Sequence, residues 1–98
     1  MLDIGIWKTR AMPRFLIRRA LGDVGEEQLE AAAELSRRIR DERFPEIEWE
    51  HSHVVRDGDG LTSYCIYAAP TEQQVRDHAD AAGLPVDDVH VIERDLVP

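Results

Sequence analysis

Ninety-eight residues, 43% hydrophobic and 33% charged, suit one globular domain and leave no room for a second core. A formal charge of −8 argues against nucleic acid, whose phosphates demand a basic face, and no stretch approaches the roughly 18 apolar residues that span a bilayer. The single cysteine, Cys65, excludes an internal disulfide and suits a reducing compartment, so the expected location is the cytoplasm, away from membranes.

Residues 1–12 have no clear period and read as an N-terminal extension, expected to be mobile. An added edge strand using Ile4, Ile6 and Trp7 is the alternative. The domain itself is expected over residues 13–98. Residues 14–21, with Phe15-Leu16-Ile17 at their centre, predict a first strand closed by Gly22. Gly25 or Asp23 can cap the helix that follows, and Glu26 and Glu27 stand in its first turn, where the positive helix end favours them. Leu29, Ala32, Ala33, Ser36 and Ile39 are spaced by three and four, which predicts a helix to about Arg43 with Pro45 as its stop.

Residues 47–55 predict a second strand, Arg56-Asp57-Gly58-Asp59-Gly60 a hairpin loop, and residues 61–69 a third strand. Thr71 caps a second helix whose inner face carries Val75, His78, Ala79 and Ala82, and Gly83 ends it. A last strand over residues 88–94 follows Pro85. The order β-α-β-β-α-β is the ferredoxin-like α+β arrangement: a four-stranded antiparallel sheet with two helices on one face. The sheet face left open is a natural surface for a second copy, so a homodimer is expected there.

The second strand holds the most chemistry. In Trp49-Glu50-His51-Ser52-His53 the histidines stand at i and i+2 and therefore point to one sheet face, close enough for both rings to reach one ion. If the loop centres on Gly58, His51 pairs with Cys65 and His53 with Ser63, with Trp49 and Tyr67 completing that face. A one-residue slip puts Tyr64 and Ile66 there instead. A His, His, Cys set suits nickel, zinc or copper. The plain alternative is two histidines with ordinary hydrogen-bond partners. His78 falls on the inward stripe of the second helix, as a further ligand or as a buried histidine bonded to a carbonyl. His90 is expected on the side opposite Val89 and Val91. No Walker loop, Gly-x-Gly-x-x-Gly, Gly-x-Ser-x-Gly or His-Glu-x-x-His occurs, and no catalytic residue is assigned.

Four segments carry a resemblance over residues 12–95: Met12-Pro13-Arg14-Phe15-Leu16-Ile17, Trp49-x-His51-Ser52, Tyr64-Cys65-Ile66-Tyr67-x-Ala69-Pro70, and Val75-Arg76-x-His78-Ala79-x-x-Ala82-Gly83-Leu84-Pro85. Together they resemble a small nickel-binding-like family with a ferredoxin-like dimeric fold. The resemblance implies a homodimer that binds nickel or another divalent transition metal, for storage or sensing, and it favours His51, Cys65 and His78 as ligands; His53 is a candidate through its strand spacing with His51, not through the resemblance. The competing expectation is a small-molecule binder or enzyme of the dimeric α+β barrel type, with Trp49, Tyr64, Tyr67 and Cys65 lining a pocket between sheet and helices.

Overall fold

The structure, a computed structural model, describes residues 12–98. The expected extension, except for Met12, lies outside the described residues. Six elements follow in the anticipated order: β1 (Arg14–Gly22), α1 (Glu26–Arg43), β2 (Glu48–Asp57), β3 (Gly60–Ala68), α2 (Glu72–Ala82) and β4 (Asp88–Val91). The strands lie in the order β2-β3-β1-β4, and every neighbouring pair is antiparallel. This is the ferredoxin-like α+β fold, with α1 and α2 covering one face of the sheet.

Local chemistry accounts for each element. Along β1 the period of two buries Phe15, Ile17 and Arg19 towards the helices and sends Arg14, Leu16 and Arg18 to the other face. Helix α1 starts at Gly25, whose N–H donates to Gln28 Oε1 at 2.7 Å, and carries Glu26 and Glu27 at its positive end and Arg40 and Arg43 at its negative end. Helix α2 starts where Thr71 Oγ1 accepts from the Gln74 N–H at 3.1 Å. It stops at Gly83, whose φ of 70° is the left-handed conformation that glycine adopts without steric cost.

Phe15, Ile17, Ile47, Tyr67, Ala69 and Val75 form the centre of the core. The two helices contribute unequally. Helix α2 buries Val75, His78, Ala79 and Ala82, whereas α1 fully buries only Ser36 and leaves Leu29, Ala32 and Ala33 half-buried. The helices are tied together by His78, whose Nε2 donates to the Ser36 carbonyl at 3.0 Å.

Three boundaries differ from expectation. The hairpin is tighter than five residues: Asp57 pairs with Gly60, so only Gly58 and Asp59 form the turn, with Gly58 at φ 66°. Strand β4 ends at Val91, although the Ile92 N–H still donates to the Arg14 carbonyl at 2.9 Å. Strand β2 contains a register shift between Trp49 and His51, which governs the site described below.

Where β1 meets β3, a Cβ built on Gly60 would lie 2.9 Å from both the carbonyl carbon and oxygen of Gly22. Both obstacles are backbone, so neither can swing aside. Gly60→Ala is expected to destabilise the domain by about 1–3 kcal/mol, as overpacking does elsewhere. Urea unfolding of the variant checks this; an unchanged midpoint would show that the two strands part freely.

Candidate functional site

Two parts of the molecule concentrate functional groups, and they lie on opposite faces of the sheet. The first is the edge strand β2. Trp49 pairs with Tyr67 and faces the helices; its indole N–H donates to Ser52 Oγ at 2.8 Å, and its ring lies 6.3 Å from that of Tyr67. Glu50 is the extra residue of a β-bulge. Past it the pairing becomes His51 with Ile66, Ser52 with Cys65 and His53 with Tyr64. His51 and His53 therefore stand together on the open face, both exposed, with ring centroids 4.9 Å apart at an interplanar angle of 77°.

The bulge is held by charge. Both carboxylate oxygens of Glu50 accept from Arg14, at 2.8 and 2.9 Å, and Arg14 also donates to Asp95 at 2.8 Å. The hydrogen-bonded Arg14 guanidinium keeps the Glu50 carboxyl below its ordinary pKa. Ala68 pairs with both Arg14 and Glu48, and its small side chain lets this bridge span β3.

The other two candidate ligands point the opposite way. Cys65 is buried under the helices, with Sγ 3.5 Å from Ser63 Oγ. His78 is buried between the rings of Phe44 and Tyr67, whose centroids lie 5.6 and 5.9 Å away. Its Nε2 is committed to Ser36, and its Nδ1 has no partner among the described residues. The expected pairing of His51 with Cys65 and His53 with Ser63 is thus corrected to the slipped register, with Ile66 and Tyr64 opposite the histidines. The reason is the two-residue turn, whose centre falls between Gly58 and Asp59. The anticipated convergence of His51, His53, Cys65 and His78 does not occur, and among the described residues no three His, Cys, Asp or Glu side chains are placed to share an ion. His90 pairs with Leu16 on the open face, three strand spacings or about 14 Å from β2.

The second part is a cavity of about 270 Å³ between α1 and the sheet. Trp49, Tyr67 and Cys65 line it, as expected of a pocket there; Tyr64 does not, because the register turns it to the open face. Sequence reasoning missed Arg19 and Ser36, which also line it. The signal for Arg19 was present, since it continues the period-two phase of Phe15 and Ile17 and so had to face the core. Burial raises the pKa of the Tyr67 hydroxyl, against the opposing effect of the Arg19 charge, and Tyr67 remains an O–H donor.

A family model described as "Nickel responsive protein SCO4226-like" matches residues 15–92. The chain belongs to this family. Among solved structures, the crystal structure of SCO4226 from Streptomyces coelicolor A3(2) superposes with a TM-score of 0.68 at 18% identity, over 85% of this chain and 99% of that one. The solution structure of a hypothetical Arabidopsis thaliana protein, AT3G17210, gives a TM-score of 0.42 at 14% identity, over 89% and 88% of the two chains. No curated protein matches. The SCO4226 likeness bears on the fold alone.

In this SCO4226-like domain, His78 couples the core to pH. Desolvation lowers its pKa from the ordinary 6.5, partly opposed by the bond to Ser36, so the folded state holds it neutral while the unfolded chain protonates it near 6.5. The unfolded state then binds more protons in the window below 6.5, and His78's contribution, full above that pH, is lost as the pH falls. Urea unfolding between about pH 5 and pH 8 should show stability declining on acidification, with a shallower slope in His78→Gln. Equal slopes would remove His78 from the account.

Proposed function

We propose that this chain is a homodimeric protein that binds nickel or another divalent transition ion at the His51–His53 pair, in storage or sensing. The observation that carries the reading is the spacing of the two rings. With metal–nitrogen bonds of about 2.1 Å, two imidazoles at roughly 90–110° around one ion have centroids about 4.5–5.3 Å apart. The 4.9 Å between His51 and His53 falls inside that interval before any rearrangement. Imidazole is a suitable donor for nickel, and both rings are open to solvent. Two imidazoles fill only part of a coordination sphere, so water or a second copy of the chain supplies the rest.

Membership of a family described as nickel responsive supports the same reading. The dimer is proposed through the open sheet face, where Leu16, Tyr64 and Ile66 are half-buried at the centre and the histidines stand at one edge. A cytoplasmic location accompanies it, supported by the lone buried thiol; among the described residues no helix is long and apolar enough to cross a membrane.

Isothermal titration of nickel into the untagged protein near neutral pH tests the site. His51→Ala and His53→Ala should each weaken binding by about tenfold or more, and the double variant should abolish it. Cys65→Ala and His78→Gln should leave it unchanged, and uptake should decline on acidification because protons compete for imidazole nitrogen. Unaltered affinity in the double variant would refute the site. Light scattering of Ile66→Asp tests the dimer, which should dissociate; a dimer that persists removes the open face as its interface.

A further inference from the structure

We infer that the cavity under α1 is a binding site for a small organic monocarboxylate, its charged end on Arg19 and its apolar body along α1. A cation lies deep in the core beside this cavity. Arg19 is 2% exposed and among the largest fully buried side chains of the domain. A guanidinium keeps its charge inside a protein, and burying it without a counter-charge is costly. Yet among the described residues no carboxylate pairs with Arg19. The acidic side chain in the cavity wall, Glu30, is exposed and forms no ion pair with it. The Arg19 partners are neutral: the Pro85 carbonyl at 2.9 Å, a long contact to the Tyr67 hydroxyl at 3.5 Å, and the Tyr67 ring, 5.7 Å from the guanidinium carbon. Among the described residues these contacts occupy two of the five N–H donors of the fork.

A second observation points into the same space. Ser36 is 3% exposed and lines the cavity; its Oγ lies near enough to the Tyr67 hydroxyl to act on its pKa, yet it meets no partner at full hydrogen-bond geometry among the described residues. Buried hydroxyls are rarely left so. Arg19, the Tyr67 hydroxyl and Ser36 Oγ thus offer an anion donors from two sides, from the sheet and from the helix. Arginine meets a carboxylate best, through two parallel N–H bonds.

Leu21, Leu29, Ala32, Ala33, Val54 and Leu84 make a continuous apolar stretch of the wall; its other polar members, Arg37, Ser52 and Ser63, are already engaged with Glu34, Trp49 and Cys65. This explains the half-buried stripe of α1, whose small side chains meet space instead of the sheet. An inorganic anion would satisfy Arg19 and leave that stripe unfilled. A neutral apolar molecule would fill the stripe and leave Arg19 uncompensated. A monocarboxylate with a short aliphatic or aromatic body does both, and about 270 Å³ suits a ligand of that size. The cavity lies on the sheet face opposite His51 and His53, so this inference stands or falls independently of the metal reading.

Octanoate is the probe, with octanol as its uncharged counterpart and inorganic phosphate as the anion without a tail. Thermal unfolding and calorimetric titration of the full chain should show octanoate binding at least about tenfold more tightly than either comparator. Arg19→Met keeps the volume and removes the charge, so the unliganded variant should be as stable as the parent, or more so, because a buried uncompensated charge has gone. Its octanoate affinity should fall at least tenfold, to the level of octanol. Ala33→Leu, which fills the cavity from the helix side and leaves Arg19 in place, should also lose octanoate binding. Equal binding of octanoate and octanol, octanoate binding unaffected by Arg19→Met, phosphate binding as tight as octanoate, or no binding of any probe would each overturn the assignment.

Discussion

Strand β2 must satisfy two demands that simple alternation cannot meet together. Trp49 belongs with Tyr67 under the helices, and His51, two residues on, would follow it inward. Inserting Glu50 as a bulge breaks the phase, and the paired bonds from Arg14 hold the inserted residue in place. Arg14 itself sits on β1, two strands away, and reaches Glu50 across Ala68. The position of both histidines therefore depends on an ion pair spanning three strands, together with the two-residue turn that fixes the register beyond it. An exposed pair of this kind adds little to global stability in general, but here it selects which face a segment presents.

That selection divides the molecule into two chemically separate halves. The open face carries exposed imidazoles on β2, a centre of Leu16, Tyr64 and Ile66, and ion pairs of Arg14 and Arg18 with acidic partners. The helix-covered face carries a buried thiol, a neutral histidine and an arginine with no carboxylate partner among the described residues. A sheet one residue thick keeps the two apart, so an exposed pair of imidazoles and a helix-covered cavity lie back to back in one domain.

The fold was readable from the chain because its signals are local and mutually consistent. Glycine and proline mark both helix ends, the stripes on α1 and α2 have the right period, and the strands are rich in β-formers. The site was readable only in part. His51 and His53 were placed side by side because i and i+2 share a face in any unbroken strand, and no bulge falls between them. Their neighbours across the sheet were not, since a turn of two residues and a turn of three differ by one step, and that step exchanges Cys65 for Ile66. The bulge at Glu50 left no mark in the sequence either, because its cause is an arginine 36 residues earlier. Arg19 was passed over for a different reason: a charged residue in a strand suggests solvent, and only its phase with Phe15 and Ile17 says otherwise.

The uneven packing of the two helices has a dynamic corollary. Helix α2 is sealed by four buried side chains, while α1 rests on the sheet through Ser36 and a partly filled gap. Segments with few buried apolar contacts open at lower free energy than the domain unfolds. The longer helix, despite its 18 residues, is then the one whose amides exchange first with solvent. Breathing of that helix would widen the half-open cavity beneath it while the sheet stays intact.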